Sequence, residues 1–149
     1  MSIVSAEVAH LFGGLPVLRH PLDNPLDAHE MLVAGLPSEA LQHLIDHTEL
    51  LRSSDLLEKA LGVSLRTVQR RKESPQKPLS PEQSGRIWKF AEILAHATKL
   101  FGTQSEAERW LDRPAIGLNQ RRPIDLLSTP AGVAIVETFL DGIEYGAYM

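Results

Sequence analysis

The stretch Asp55-Leu56-Leu57-Glu58-Lys59-Ala60-Leu61-Gly62-Val63-Ser64-Leu65-Arg66-Thr67-Val68-Gln69-Arg70-Arg71-Lys72 decides the reading of this chain. Ser54 or Asp55 can cap a short helix that holds Leu56, Leu57, Ala60 and Leu61. Gly62 stops that helix and can supply the positive φ of a tight turn. Val63 then plugs the space between two helices, Ser64 caps the second, and Val68 turns back into the domain. This is the layout of a helix-turn-helix. It leaves Ser64, Leu65, Arg66, Gln69 and Arg70 on the outer face, where a recognition helix meets the major groove. The planar fork of arginine matches guanine O6 and N7, and glutamine can pair bidentately with adenine. Arg71, Lys72 and Lys77 are placed for phosphates, which position a protein on DNA without specifying sequence. The plain alternative is a pair of helices with a solvated basic face. Glu58 stands where such motifs usually carry a small residue, and Arg71 takes a late position that is usually apolar.

Outward from this stretch, helix signals continue in both directions. Asp27 to Gly35 reads as a short helix ending at its glycine, and Pro37-Ser38-Glu39 opens another with the stripe Leu41, Leu44, Ile45, Thr48 and Leu51. Downstream, Pro75 and Pro78 break the chain. Ser80-Pro81-Glu82-Gln83 then combines an N-cap serine, proline at the first helical position and a reciprocal glutamine. The helix behind it places Ile87, Phe90, Ala91, Leu94, Ala97 and Phe101 at helical spacing and ends at Gly102. Thr103-Gln104-Ser105-Glu106 is a second capping box, opening a helix with Trp110 and Leu111. Pro114 to Pro123 reads as a loop, and Thr129-Pro130 starts a last helix with Val133, Val136, Phe139, Leu140 and Ile143 inward. The first 25 residues are poorly patterned, with Gly13-Gly14 and three prolines. They read as a mobile arm or a short strand available for self-association. The expected fold is all-α. It comprises an arm and short helix over residues 1–36, a helix-turn-helix region with a long connecting helix over 37–102, and a C-terminal helical region over 103–149.

Composition sets the bounds. The chain has 149 residues, 43% of them hydrophobic, which suits one domain or two small units sharing a core. With no cysteine there are no disulfides, no thiol nucleophile and no thiolate zinc site. No apolar run reaches the roughly 18–20 residues of a membrane span, and no secretory signal opens the chain, so a cytoplasmic protein is expected. The net charge of −4 conceals a gradient. Residues 1–60 carry nine acidic and three basic groups, residues 61–99 eight basic and three acidic, and residues 123–149 four acidic and none basic. The basic middle suits a polyanion and the acidic end suits something else.

Catalytic chemistry finds little support. His43 and His47 lie four apart on one helix, yet Leu44 stands where the metalloprotease pattern needs glutamate, and no third ligand is in view. The glycines fit neither phosphate-cradling pattern, and no serine or aspartate sits in a nucleophile motif. No catalytic residue, metal or cofactor is therefore assigned. The C-terminus is more informative. Both tyrosines lie in Glu144-Tyr145-Gly146-Ala147-Tyr148-Met149, an apolar, aromatic tail without positive charge. Tyr145 and Tyr148 either fold back onto their own core or, with Glu144 and the terminal carboxylate of Met149, fill a partner's pocket, since tyrosine brings large contact area at small entropy cost.

Taken together, Leu61 to Arg71, Leu79-Ser80-Pro81-Glu82, Arg86, Ala97 and Leu100-Phe101-Gly102 resemble the DNA-binding part of the Xre/MbcA/ParS-like antitoxins. Trp110-Leu111, Pro114, Leu118, Pro123 to Leu127, Thr129, Gly132 and Leu140 to Gly146 resemble the family's C-terminal module. The resemblance covers residues 38–149, with Leu118 to Arg122 standing where related chains commonly have a glycine-rich turn. It implies an antitoxin that binds and neutralises a RES-domain toxin, an enzyme type that depletes NAD. It also implies repression of its own operon through the helix-turn-helix. A single short recognition helix contacts few bases, so a homodimer within the toxin complex is expected. The alternative is a stand-alone helix-turn-helix regulator whose C-terminal half dimerises or senses a ligand.

Overall fold

The computed structural model describes residues 3–146. Its helices are α1 (Ile3–Leu11), α2 (Leu15–Leu18), α3 (Pro25–Ala34), α4 (Ser38–Asp46), α5 (Ser54–Leu61), α6 (Leu65–Arg71), α7 (Pro81–Phe101), α8 (Gln104–Leu111) and α9 (Pro130–Gly146). Short 3-10 turns lie at Glu49–Arg52, Ile116–Leu118 and Pro123–Leu126. No strand forms among the described residues; Pro37–Pro78 and Ala115–Arg121 are isolated antiparallel bridges. The fold is all-α, as expected. The chain divides into two compact units, residues 1–92 and 93–149. The division falls inside α7, upstream of Gly102, because the apolar positions of this one long helix serve two cores in turn.

In the first unit the N-terminal segment differs from expectation. It forms α1 and α2, neither arm nor strand, joined by a turn at Gly13 and Gly14 with φ of 98° and 75°. Val8, Ala9, Phe12, Leu18 and Leu22 are buried, and the Phe12 ring stacks on Trp88 at 5.7 Å. These side chains complete the core of their own unit and do not stand free for another molecule. The next helices start and stop where local chemistry dictates. Asn24 caps α3 by accepting from the Asp27 N–H, and Gly35, with φ of 97°, ends it. A Cβ at Gly35 would run into the Leu79 carbonyl, so the chain before α7 lies directly against this turn.

In the stripe expected to run from Leu41 to Leu51, Leu41, Leu44, Thr48 and Leu51 are buried and Ile45 is half-buried, and the helix under it is not continuous. α4 ends at Asp46, Thr48 is extended, and a 3-10 turn follows. Leu50 and Leu51 are both buried within that turn. The cap of α5 is Ser53, one residue earlier than expected, accepting from Leu56 N–H.

The second unit is built from residues 93–101 of α7 with α8, the two 3-10 turns and α9. Ala97, Ala107, Leu111, Leu118, Ile124, Leu127, Val136 and Leu140 are buried in it. Phe101, Trp110 and Phe139 form a chain of rings, with centroids 5.4 Å and 5.9 Å apart. The segment read as a plain loop, Pro114 to Pro123, contains the Ile116–Leu118 turn and is closed by Ala115 N–H to Arg121 O at 3.1 Å. Arg122 fastens it, donating from Nε and Nη2 to both Asp125 oxygens at 2.9 and 3.0 Å, and from Nη1 to Asp112 at 2.8 Å. The Asp125 hydrogen bonds, with the nearby Asp112 charge, raise the pKa of this guanidinium still further.

Candidate functional site

Helix α5 closes on Gly62, which is left-handed at φ 70° and donates its N–H to Glu58 O at 2.8 Å. Val63 is buried between the helices, and Ser64 Oγ accepts from Thr67 N–H at 3.1 Å to open α6. Val68 is buried on the inner face of α6. On the opposite face Arg66, Gln69 and Arg70 are exposed, and Leu65 is 47% exposed. A leucine so displayed, between a cap and a row of polar side chains, is suited to apolar contact with a groove edge. The unusual Glu58 points to solvent, so its size does not disturb the packing of the two helices.

The phosphate candidates divide. Lys72 and Lys77 are exposed, whereas Arg71 is half-buried and donates from Nη1 to Pro78 O at 3.0 Å. Arg71 thus ties α6 to the following loop. That loop is firmly held: Lys77 O accepts from Ser38 N–H and Oγ, and Leu79 N–H donates to Leu36 O at 2.8 Å. Arg19 Nη1 and Gln76 Oε1 are paired at 3.0 Å beside it. Lys77 consequently sits on a fixed backbone.

Two residues of α7 support this site in a way that no local pattern announces. Arg86 reaches beneath the helix-turn-helix, donating from Nη2 to Lys59 O at 2.9 Å at the C-terminal end of α5. Its guanidinium lies where a Cβ on Gly62 would fall. The turn glycine is therefore required twice, for its φ and for the closeness of Arg86. Ser84, fully buried, accepts from Leu36 N–H at 2.9 Å and satisfies a backbone donor at the end of α3.

Among the described residues, His43 and His47 have no third ligating side chain close enough to complete a group of three. The rings of His43 and His47 stack at 4.1 Å, with Nδ1 of each donating to a backbone carbonyl, Leu11 O and His43 O. Ligating side chains gather instead in the second unit, where His96 Nε2 donates to Glu144 Oε2 at 2.9 Å beside Asp141. Glu144, expected to face a partner, is half-buried and engaged with His96. Tyr145 is 72% exposed and does not fold back onto the core. Tyr148 and Met149 lie outside the described residues.

The exposed surface of this unit carries apolar groups that the sequence reading missed. Ile116 is 86% exposed and Ile135 51% exposed. Ile135 lines a groove of about 350 Å³ together with Gly117, Leu118, Ala134, Thr138 and Phe139, and Ile116 is the chain neighbour of its Gly117. The available signal was the absence of charge from Pro130 to Val136. No helix among the described residues is long and apolar enough to cross a membrane.

Comparison with known proteins agrees with this division. Residues 27–92 match the antitoxin Xre-like helix-turn-helix domain, and residues 96–146 match the antitoxin Xre/MbcA/ParS C-terminal toxin-binding domain. An antitoxin Xre of Photorhabdus laumondii is 31% identical over 117 residues, covering 78% of this chain and 77% of that protein. One from Yersinia enterocolitica is 28% identical over 129 residues, covering 76% and 86%. One from Pseudomonas putida is 36% identical over 84 residues, covering 56% of this chain and about half, 52%, of that protein. The chain belongs to the Xre/MbcA/ParS family of antitoxins, with the family's helix-turn-helix domain followed by its C-terminal helical domain.

Proposed function

We propose that the chain neutralises a RES-type, NAD-degrading toxin by direct binding through its C-terminal unit, and represses its own operon through α5 and α6. The observation that carries the reading is the tandem match of two family domains to residues 27–92 and 96–146, closely following the two compact units. The charge distribution supports it: the basic groups concentrate at residues 61–99, while residues 123–149 carry acids alone. Arg66 and Gln69 would read base edges, with Ser64, Leu65 and Arg70 beside them. Lys72 and Lys77, with the remaining donors of Arg71, would hold phosphates. A short recognition helix touches few bases, so the repressor would act as a homodimer on paired half-sites about one turn of DNA apart. Tyr145, followed by Tyr148 and Met149, would enter the toxin's NAD pocket as an aromatic anchor beside an acidic side chain. Glu144 would contribute from its ion pair with His96. This action is placed in the cytoplasm, and no cofactor or catalytic residue is assigned to the chain.

Co-expression with the toxin encoded beside it tests the reading. Cells making the toxin alone should lose NAD and stop growing, and cells also making this chain should keep both. A toxin that neither binds the chain nor is inhibited by it would sink the proposal. Footprinting of the region upstream of the operon tests repression separately.

A further inference from the structure

Helix α9 is apolar on two sides. Its inner face buries Gly132, Val136 and Leu140. Ahead of the tail, its outer face exposes Ala131, Ala134, Ile135, Thr138 and Gly142, a stripe about 17 Å long at 1.5 Å per residue. Asp141 is the one exposed charge along it. A helix at a free surface ordinarily carries its charges opposite its apolar face, and one that is apolar all round finds cover. The wall across the groove from this stripe is rigid. Asn119 and Gln120 are both left-handed, at φ 57° and 64°, without being glycine. Asparagine takes up that conformation readily at the end of a turn, but glutamine keeps it only where its surroundings hold it. Here the Ala115–Arg121 pairing and the Arg122 ion pairs hold the turn, and Ile116 projects from it. Gly117 lies so close to Phe139 that a Cβ would run into the ring, which seats the turn directly on α9.

We propose that the outer face of α9 and the Ile116 turn form the toxin's docking surface. Its groove receives an apolar side chain of the toxin, and Asp141 meets a basic group beside it. This rests on the toxin-binding reading above and adds to it a second contact, separate from the tail. Two observations choose the occupant. The groove lies wholly within residues 96–146, the part matching a toxin-binding domain. The one exposed charge along the face is the acid Asp141, and α9 carries no base, so a second copy of this helix offers nothing to pair with it, whereas a partner with a basic group beside its apolar side chain is complementary. An apolar groove with the exposed Ile135 in its lining and the exposed Ile116 next in sequence to it suits a buried apolar anchor, since little ordering cost falls on association.

The test uses full-length antitoxin and the purified toxin encoded beside it, with affinity read by calorimetry and toxin activity by NAD consumption. Ile135→Asp and Ile116→Asp alter side chains exposed in the free protein, so Trp110 fluorescence and circular dichroism should be unchanged. Each is expected to weaken toxin binding at least thirtyfold, and Ile135→Leu to stay within threefold of wild type. Ala134→Arg, also at an exposed position, provides a second blocking variant if Ile135→Asp disturbs the fold. Asp141→Lys should weaken binding about tenfold. Blocking variants that are folded and bind toxin within threefold of wild type would overturn the docking surface while leaving toxin binding itself intact. A wild-type chain that fails to bind the toxin would overturn both readings. If Ile135→Asp splits a dimer of the free antitoxin while toxin affinity is retained, the face belongs to a second copy and the proposal is refuted.

Discussion

Replacing Gly62 with alanine should damage the helix-turn-helix through two separable effects, and the structure sets the size of each. At φ 70° an L-residue loses roughly 1–2 kcal/mol relative to its right-handed conformation. Stiffening of the unfolded chain returns about 0.4–1 kcal/mol, leaving a net cost near 1 kcal/mol. The new Cβ also occupies the place of the Arg86 guanidinium, which must withdraw and give up its bond to Lys59 O. A hydrogen bond from a charged donor contributes about 1.5–3 kcal/mol, and the half-exposed setting of Arg86 puts it at the lower end. Gly62→Ala should therefore cost about 2–3 kcal/mol in the first unit. In an Arg86→Ala background the guanidinium is already gone, and the same substitution should cost only about 1 kcal/mol. The two tryptophans make the assay specific, because Trp88 belongs to the first unit and Trp110 to the second. Urea unfolding followed by Trp88 fluorescence in a Trp110→Phe background reads the first unit alone. At a slope of roughly 1–3 kcal/mol per molar urea, the midpoint for Gly62→Ala should fall by about 1 M or more. Equal costs of Gly62→Ala in the two backgrounds would show that Arg86 does not buttress the turn.

Other expectations follow from the same geometry. Arg66→Ala or Gln69→Ala should cost about 1–3 kcal/mol on the operator and broaden base preference, whereas Lys72→Ala or Lys77→Ala should weaken all sequences alike and reduce the salt slope by about 0.9 each. Quantitative footprinting over a salt series distinguishes them, and an unchanged footprint for Arg66→Ala would remove α6 from the groove. Arg122→Ala should lower the stability of the second unit by about 1 kcal/mol, because the pairs it loses are only partly sheltered from solvent. Trp110 fluorescence in urea checks this, and no shift in midpoint would mean that the turn holds its shape without them. Tyr145→Ala should leave the melting temperature within about a degree of wild type, since an exposed side chain contributes little to folding, while toxin inhibition declines. A drop in melting temperature with inhibition intact would return this tyrosine to a structural role.

The parts of this protein legible in its sequence are those governed by a few neighbouring residues. Ser64 over Thr67, the reciprocal Ser80 and Gln83 bonds, Thr103 over Glu106 and the Gly62 and Gly102 stops form as their spacing predicts. A cap satisfies backbone donors within three residues of itself, so its chemistry is local. The outward face of α6 was legible for the same reason: once Val68 is inside, helical geometry sends Arg66, Gln69 and Arg70 out. What the tertiary structure alone decided is where distant residues meet. The poorly patterned N-terminus becomes helical because Phe12 finds Trp88, a partner no local rule could supply. Arg86 stands out in the sequence only as part of the family resemblance, and what it does appears only when the fold lays it under Gly62. Glu144 meets His96, 48 residues away in the chain, a pairing no local rule could supply. Ile116 lies in a segment read only as a loop, and Ile135 on a helix whose apolar spacing marks an inner face without showing that the other face is apolar too. Periodicity says that one face of a helix must be covered; only the packed chain shows which face has been, and which still waits for a partner.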